Sequence, residues 1–86
     1  MSKYKLVFSE NARKDLKRLG KLTQQRIAKK LLFYAEQDDP LTHARQLVHS
    51  KIGSYRFRIG HFRIVFDIEG RNLSIVSVKH RKDAYR

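Results

Sequence analysis

Tyr55-Arg56-Phe57-Arg58-Ile59-Gly60-His61-Phe62-Arg63-Ile64-Val65-Phe66 is the stretch whose reading decides the fold. Tyr55, Phe57 and Ile59 alternate with Arg56 and Arg58, and Phe62, Ile64, Phe66 and Ile68 alternate with Arg63, Val65 and Asp67. Period-two alternation puts one set on a buried face and the other on the opposite face of a strand. A two-residue link with glycine first, Gly60-His61, predicts a type II′ hairpin. Gly70-Arg71 repeats the device before Leu73 to Val78, a run rich in β-branched residues. An antiparallel meander over residues 54–79 follows. Its register is testable, because a slip of one residue would turn Phe57 and Ile64 to solvent.

Working outward, Tyr4, Leu6 and Phe8 share one face of a first strand, expected over 3–8. Ser9 is placed to cap a helix, with Glu10 in the first turn where the helix dipole favours an acid. Ala12, Leu16 and Leu19 recur at helical spacing, and Gly20 suits the position after the helix end. A second helix near 23–37 is predicted from Ile27, Ala28, Leu31, Tyr34 and Ala35, with Thr23 as its cap and Asp38-Asp39-Pro40 as its stop. Residues 41–53 read as a loop closed by Gly53. The order is strand, helix, helix, strand, strand, strand: an α+β fold, with a helical hairpin packed on an antiparallel β-sheet. The predicted core contains Leu6, Phe8, Leu16, Leu19, Ile27, Leu31, Phe57, Ile64 and Phe66. At 86 residues the chain makes one domain, 1–86.

Twenty Lys and Arg against eight Asp and Glu leave a net charge of +12. Such an excess attracts polyanions: nucleic acid first, an anionic membrane surface second and an acidic protein third, the last compatible with either. A chain this short buries only roughly 60–65% of its unfolded surface, so a shallow groove is expected rather than an enclosed cavity. There is no cysteine, which excludes disulfides, thiolate metal sites and a cysteine nucleophile. The N-terminal MSKYKLVF has no long apolar run, so no signal peptide, no membrane association and a cytoplasmic location are expected.

The hairpin register sets Arg58 opposite Arg63, with Arg56 two residues along on the same side. Like charges directly opposite destabilise a sheet. Their gathering makes sense where an anion sits between them, since guanidinium forks match phosphate oxygens in two-point geometry. The alternative is a solvated face whose arginines splay apart. A second basic cluster, Lys79-His80-Arg81-Lys82-Asp83-Ala84-Tyr85-Arg86, follows the last predicted strand. It is either a basic tail or a single-strand RNA contact in which Tyr85 stacks on a base. Arg13, Lys14, Lys17 and Arg18 form a cationic face on the first helix. His43, His49 and His61 show no metal-ligand spacing and read as loop residues.

The hairpin motif and the His80-Arg81…Tyr85 ending together resemble the RelE/ParE toxin family, and the resemblance covers essentially the whole chain. It implies the toxin of a type II toxin–antitoxin system. In the RelE branch that toxin is a metal-independent endoribonuclease cutting mRNA on the ribosome. The 2′-hydroxyl attacks the adjacent phosphate and leaves a cyclic phosphate and a free 5′-hydroxyl. By the same resemblance, Arg56 and Arg58 orient the scissile phosphate and help deprotonate the 2′-hydroxyl. Arg63 stabilises the phosphorane charge, Arg81 assists the leaving 5′-oxygen, and Tyr85 stacks on or orients a base. Arg13, Lys14, Lys17, Arg18, Lys79 and Lys82 contact RNA or the ribosome. The implied partners are an acidic antitoxin, the ribosome and mRNA, with no cofactor and no metal.

The best-known member has lysines where this chain has Arg56 and Arg58, and arginine stays protonated. Other branches use a glutamate and a histidine, whereas residues 41–53 hold no carboxylate. His80 is then read either as the general base, for which imidazole suits, or as a polar residue at a strand end. Two further readings share the fold: a ParE-type inhibitor of DNA gyrase, and a non-toxic basic nucleic-acid-binding relative.

Overall fold

The structure, a computed structural model, describes residues 3–48 and 50–82. The elements run β1 (Lys5–Phe8), α1 (Glu10–Lys17), α2 (Lys21–Ala35), a 3₁₀ turn (Pro40–His43), β2 (Ala44–Gln46), β3 (Tyr55–Ile59), β4 (Phe62–Glu69) and β5 (Asn72–His80). The strands form one sheet in the order β1-β5-β4-β3-β2. The α+β class and the meander stand as read, with its ends within one residue of expectation. Gly60 and Gly70 have φ of 59° and 61° at the two hairpin tips. That is the left-handed region which the first position of such turns requires.

The sheet is mixed rather than wholly antiparallel, because β1 pairs parallel with β5, Lys5 opposite Asn72 through Phe8 opposite Ile75. The two helices carry the chain across the sheet, and a crossover of that kind is what parallel pairing needs. Residues 41–53 are not all loop. Asp39 accepts the Leu41 N–H at 3.1 Å and caps the 3₁₀ turn, after which Ala44–Gln46 adds a fifth strand against β3. Three residues are too few for alternation to register in the sequence. The remaining loop closes through Leu47 N–H to Ser54 C=O at 2.8 Å. There Gly53 does what a loop-closing glycine was expected to do: a Cβ at this position would lie 2.7 Å from Val65 Cγ1. Val65 is consequently buried although it alternates away from the core.

The helices begin and end differently from expectation too. Ser9 caps α1 by accepting the Ala12 N–H. Gly20, expected just past the end of α1, is instead the extended N-cap of α2, and Thr23 lies inside the helix. The join is tight enough that Leu19 N–H still bonds Leu16 C=O while Gly20 C=O accepts the Gln24 N–H.

Ile27, Leu31, Phe57, Ile64 and Phe66 are fully buried, and Leu6, Phe8, Leu16 and Leu19 pack against them. Phe66 and Phe57 stack at 4.2 Å between ring centroids, and Tyr34 stacks on Phe57 at 4.3 Å. The helices therefore cover the face carrying Phe57 and Ile64, and strand alternation turns Arg56, Arg58 and Arg63 to the opposite face. Among the described residues no helix is long and apolar enough to cross a membrane.

Candidate functional site

Arg58 lies directly opposite Arg63, as the hairpin reading requires, and Arg63 in turn lies opposite Lys79. On the other side, Arg56 lies opposite Arg45 of β2. A cationic ladder thus crosses four strands on one face. The short edge strand β2 turns it into a cleft of about 480 Å³, lined by Thr42, His43, Ala44, Arg45, Arg56, Arg58 and Arg63. Arg58 and Arg45 are exposed, and Arg56 and Arg63 are half-buried. None of the lining residues is acidic. Four guanidinium groups round a shallow cleft are suited chemically to an anion such as a phosphate. Each offers forked N–H donors, and their mutual repulsion is relieved when an anion enters.

Two contributors were not read from the sequence. Arg45 was hidden because β2 went unrecognised; once β2 is placed, its pairing with Arg56 brings it to the site. His43 was read as a plain loop residue, yet it lines the cleft, and its ring stacks on Tyr34 at 5.1 Å with 25° between planes. Burial pushes the Tyr34 phenol above its usual range.

The C-terminal cluster divides. Lys79 Nζ lies 2.7 Å from Asp15 Oδ1, and Asp15 Oδ2 accepts the Val78 N–H at 2.9 Å. Asp15 is only 5% exposed. With Asn11 of α1 and the N-cap Ser9, it satisfies the part of β5 left uncovered by β1. Ser9 Oγ and Asn11 Nδ2 both donate to Val76 C=O at 3.1 Å. The signal for Asp15 was present in the sequence, since position 15 falls on the stripe of Ala12, Leu16 and Leu19 that faces the core.

His80 pairs with Phe62 and therefore takes the helix-facing side of the sheet, away from Arg58 and Arg63. Its Nδ1 accepts the Lys82 N–H at 3.2 Å, and its ring lies 5.9 Å from His61. It lines a different pocket, with Asp15, Leu19 and Phe62. Arg81 is exposed just past β5, its N–H bonded to His61 C=O at 2.7 Å. Lys82 is exposed beside it, and Tyr85 falls outside the described residues. On α1, Arg13, Lys14, Lys17 and Arg18 are all exposed, with Lys14 3.6 Å from Glu10. Among the described residues no three His, Asp or Glu side chains come together as a metal-binding group.

Residues 6–85 match the family described as the ParE toxin of type II toxin–antitoxin systems, parDE. No curated protein matches the chain. Solved structures do. The chain is 28% identical to a chain of the RelBE2 toxin–antitoxin complex of Mycobacterium tuberculosis, covering 96% of this chain and 97% of that one, with a TM-score of 0.69. The RelE–RelB complex of Pyrococcus horikoshii OT3 gives 19% identity over 95% and 99%, with a TM-score of 0.73. The RelBE complex of E. coli gives 22% over 90% and 95%, with a TM-score of 0.68. The last two establish likeness of fold.

Proposed function

The chain belongs to the ParE toxin family of type II toxin–antitoxin systems, and from that premise we propose that it is an endoribonuclease that cuts mRNA on the ribosome and is restrained by an acidic antitoxin. The observation that carries this reading is the convergence of Arg45, Arg56, Arg58 and Arg63 on one open cleft. A gyrase-binding protein has no need to crowd guanidinium groups at a single anion-sized point. A phosphoryl-transfer site has that need, because charge accumulates on the phosphate oxygens as the phosphorane forms.

In this reading Arg56 and Arg58 hold the scissile phosphate from β3. Arg63 faces it from β4 and stabilises the phosphorane, and Arg81 at the end of β5 assists the departing 5′-oxygen. The 2′-oxygen of the substrate is the nucleophile, so no activated water is required and the reaction runs without a metal ion. The products are a 2′,3′-cyclic phosphate and a 5′-hydroxyl. Arg13, Lys14, Lys17, Arg18 and Lys82 supply sequence-independent attraction to ribosomal RNA. Tyr85 stacks on a base near the cut.

The antitoxin follows from charge. The solved relatives are toxin–antitoxin complexes, and a chain at +12 is complementary to an acidic segment laid over the cleft. Association should be fast and salt-sensitive, since exposed charges are screened beyond about 10 Å at 0.1 M salt. Co-expression of the neighbouring reading frame is expected to relieve growth arrest.

The family match favours a second reading, inhibition of DNA gyrase by binding. One experiment separates the two. Purified protein is added to a translation extract and RNA ends are mapped, while gyrase supercoiling is assayed in parallel. Cuts within translated mRNA ending in a cyclic phosphate support the ribonuclease. Intact RNA with blocked supercoiling selects the gyrase inhibitor.

A further inference from the structure

Arg45 reaches the cleft on the least secure strand of the sheet. β2 is three residues long and forms the outer edge, with a neighbouring strand on one side only. Its central pair sets Arg45 opposite Arg56, and like charges directly opposite weaken strand pairing. Beyond β2 the chain is closed by the Leu47 N–H bonded to Ser54 C=O. The end that enters from the 3₁₀ turn needs a restraint of its own. We propose that His43 is the positioning residue that supplies it, holding Arg45 in the cleft through a stack on Tyr34. The assignment rests on the ribonuclease reading and adds to it the residue that fixes one wall of the site.

The ring contacts of His43 lie on the helix-covered face of the sheet. The imidazole stacks on Tyr34 at 5.1 Å with 25° between planes, and Phe33 meets it edge-on at 5.9 Å. Both partners belong to α2. Its backbone ends the 3₁₀ turn and passes directly into Ala44, the first residue of β2. His43 thus acts on the cleft through the chain that it anchors. Asp39 caps the turn and Pro40 is buried at its start, but both stand further along the chain from Arg45.

The anchorage closes on itself. Tyr34 stacks on Phe57 at 4.3 Å, and Phe57 pairs with Ala44 across β3 and β2. From Ala44 the chain returns to His43. This circuit joins α2, β2 and β3, so each member restrains the next. Tyr34 is 6% exposed and Phe57 is fully buried, which ties the circuit to the core. Arg45 follows Ala44, and Arg56 and Arg58 flank Phe57. Phe57 stacks in turn on Phe66 of β4, the strand that carries Arg63. The four arginines are therefore referred to one set of stacked rings.

Such bracing matters because a guanidinium stabilises a phosphorane only within hydrogen-bond distance of the oxygen on which charge develops. A frayed β2 would keep the charge of Arg45 near the RNA and lose its aim. Loss of the stack should therefore slow the chemical step. Attraction to the ribosome, which needs charge alone, should persist.

The test is a double-mutant cycle between His43 and Arg45 in the full chain, read as single-turnover cleavage of a defined mRNA on programmed ribosomes. Arg45→Ala should be slower by about 10²-fold, the scale of one lost donor. His43→Ala should be slower by about 10-fold or more, as misplacement of a catalytic group predicts, with half-saturation by ribosomes unchanged. In the Arg45→Ala background His43→Ala should slow the reaction no further, because the residue through which it acts is gone. His43→Phe, which keeps a ring against Tyr34, should restore the wild-type rate. Should His43→Ala not fold, His43→Gln takes its place in the cycle. Equal slowing by His43→Ala in both backgrounds overturns the assignment. So does a wild-type rate in His43→Ala, or a His43→Phe chain as slow as His43→Ala.

Hydrogen exchange over residues 44–46 in the same proteins is independent of the ribonuclease reading. Exchange there should quicken in His43→Ala and recover in His43→Phe, with β4 and β5 unchanged. If the wild-type chain leaves RNA uncut while exchange behaves this way, the ribonuclease reading fails and the brace stands. Unaltered exchange in His43→Ala overturns the brace whatever the RNA shows.

Discussion

The row Arg58–Arg63–Lys79 crosses three strands of one sheet, and its two ends are treated in opposite ways. At the β5 end the cation meets a carboxylate. Asp15, buried in α1, takes the Lys79 ammonium and the Val78 N–H together, and so fastens the helix to a strand edge that β1 does not reach. At the β3 end cations are added: Arg56 and Arg45 join Arg58 and Arg63 round a cleft with no acidic lining residue. The same charge type is therefore tied to one buried carboxylate at the β5 end and gathered round an open cleft at the β3 end, although opposed like charges weaken strand pairing.

The contrast breaks most readily at the arginine end. Arg63→Ala should lower RNA cleavage by about 10²–10³-fold, the scale of losing one donor to a developing charge, while circular dichroism and melting stay near wild type. Full cleavage by that variant would mean the charge crowding serves something other than the phosphate. At the other end, Asp15→Ala should cost about 2 kcal/mol of unfolding free energy, because it removes a charged acceptor from a buried N–H and leaves Lys79 without its carboxylate. Urea titration measures this, and a loss under half that size would make Asp15 incidental. Asp15→Asn should fall between, since the amide still accepts from Val78.

A smaller effect has the opposite sign. Arg58→Ala should raise stability by about 0.2–1 kcal/mol by relieving its opposition to Arg63, even as activity drops. A lower melting temperature would show that the arginine pair is not a cost to the fold. The smallest effect is confined to alkaline pH. Burial holds the Tyr34 phenol above its usual range. The folded state thus keeps a proton that the unfolded chain gives up, and the stability it contributes is present below pH 10 and declines above it. Tyr34→Phe should flatten that decline relative to wild type in melts between pH 9 and 11. An unchanged slope would place the alkaline loss elsewhere.

Much of this was readable before the structure. The Arg58–Arg63 opposition follows from a two-residue glycine turn, since the turn sets the register of everything beside it. The buried set Ile27, Leu31, Phe57, Ile64 and Phe66 followed from period alone. Asp15 was not read from the sequence although it sits on an apolar stripe, and its partners Val78 and Lys79 lie more than sixty positions away, where no local pattern could name them. The misreadings at Thr23 and Gly20 share one cause. Capping residues mark where a helix is able to begin, whereas the tight join between α1 and α2 decided where this one does.

The amino-acid sequence by itself determined the meander, the hairpin register, the charge and the side of the sheet on which three arginines stand. These are local consequences of alternation and turn chemistry, in which each residue's neighbours lie within a few positions. The tertiary structure alone decided that β1 runs parallel to β5, that Ala44–Gln46 closes the cleft with Arg45, that His80 lies on the side of the sheet away from the arginines, and that Lys79 is claimed by Asp15. Each of these joins residues far apart in the chain. Such contacts are selected by the packing of the whole core, which has no counterpart in any short window of sequence.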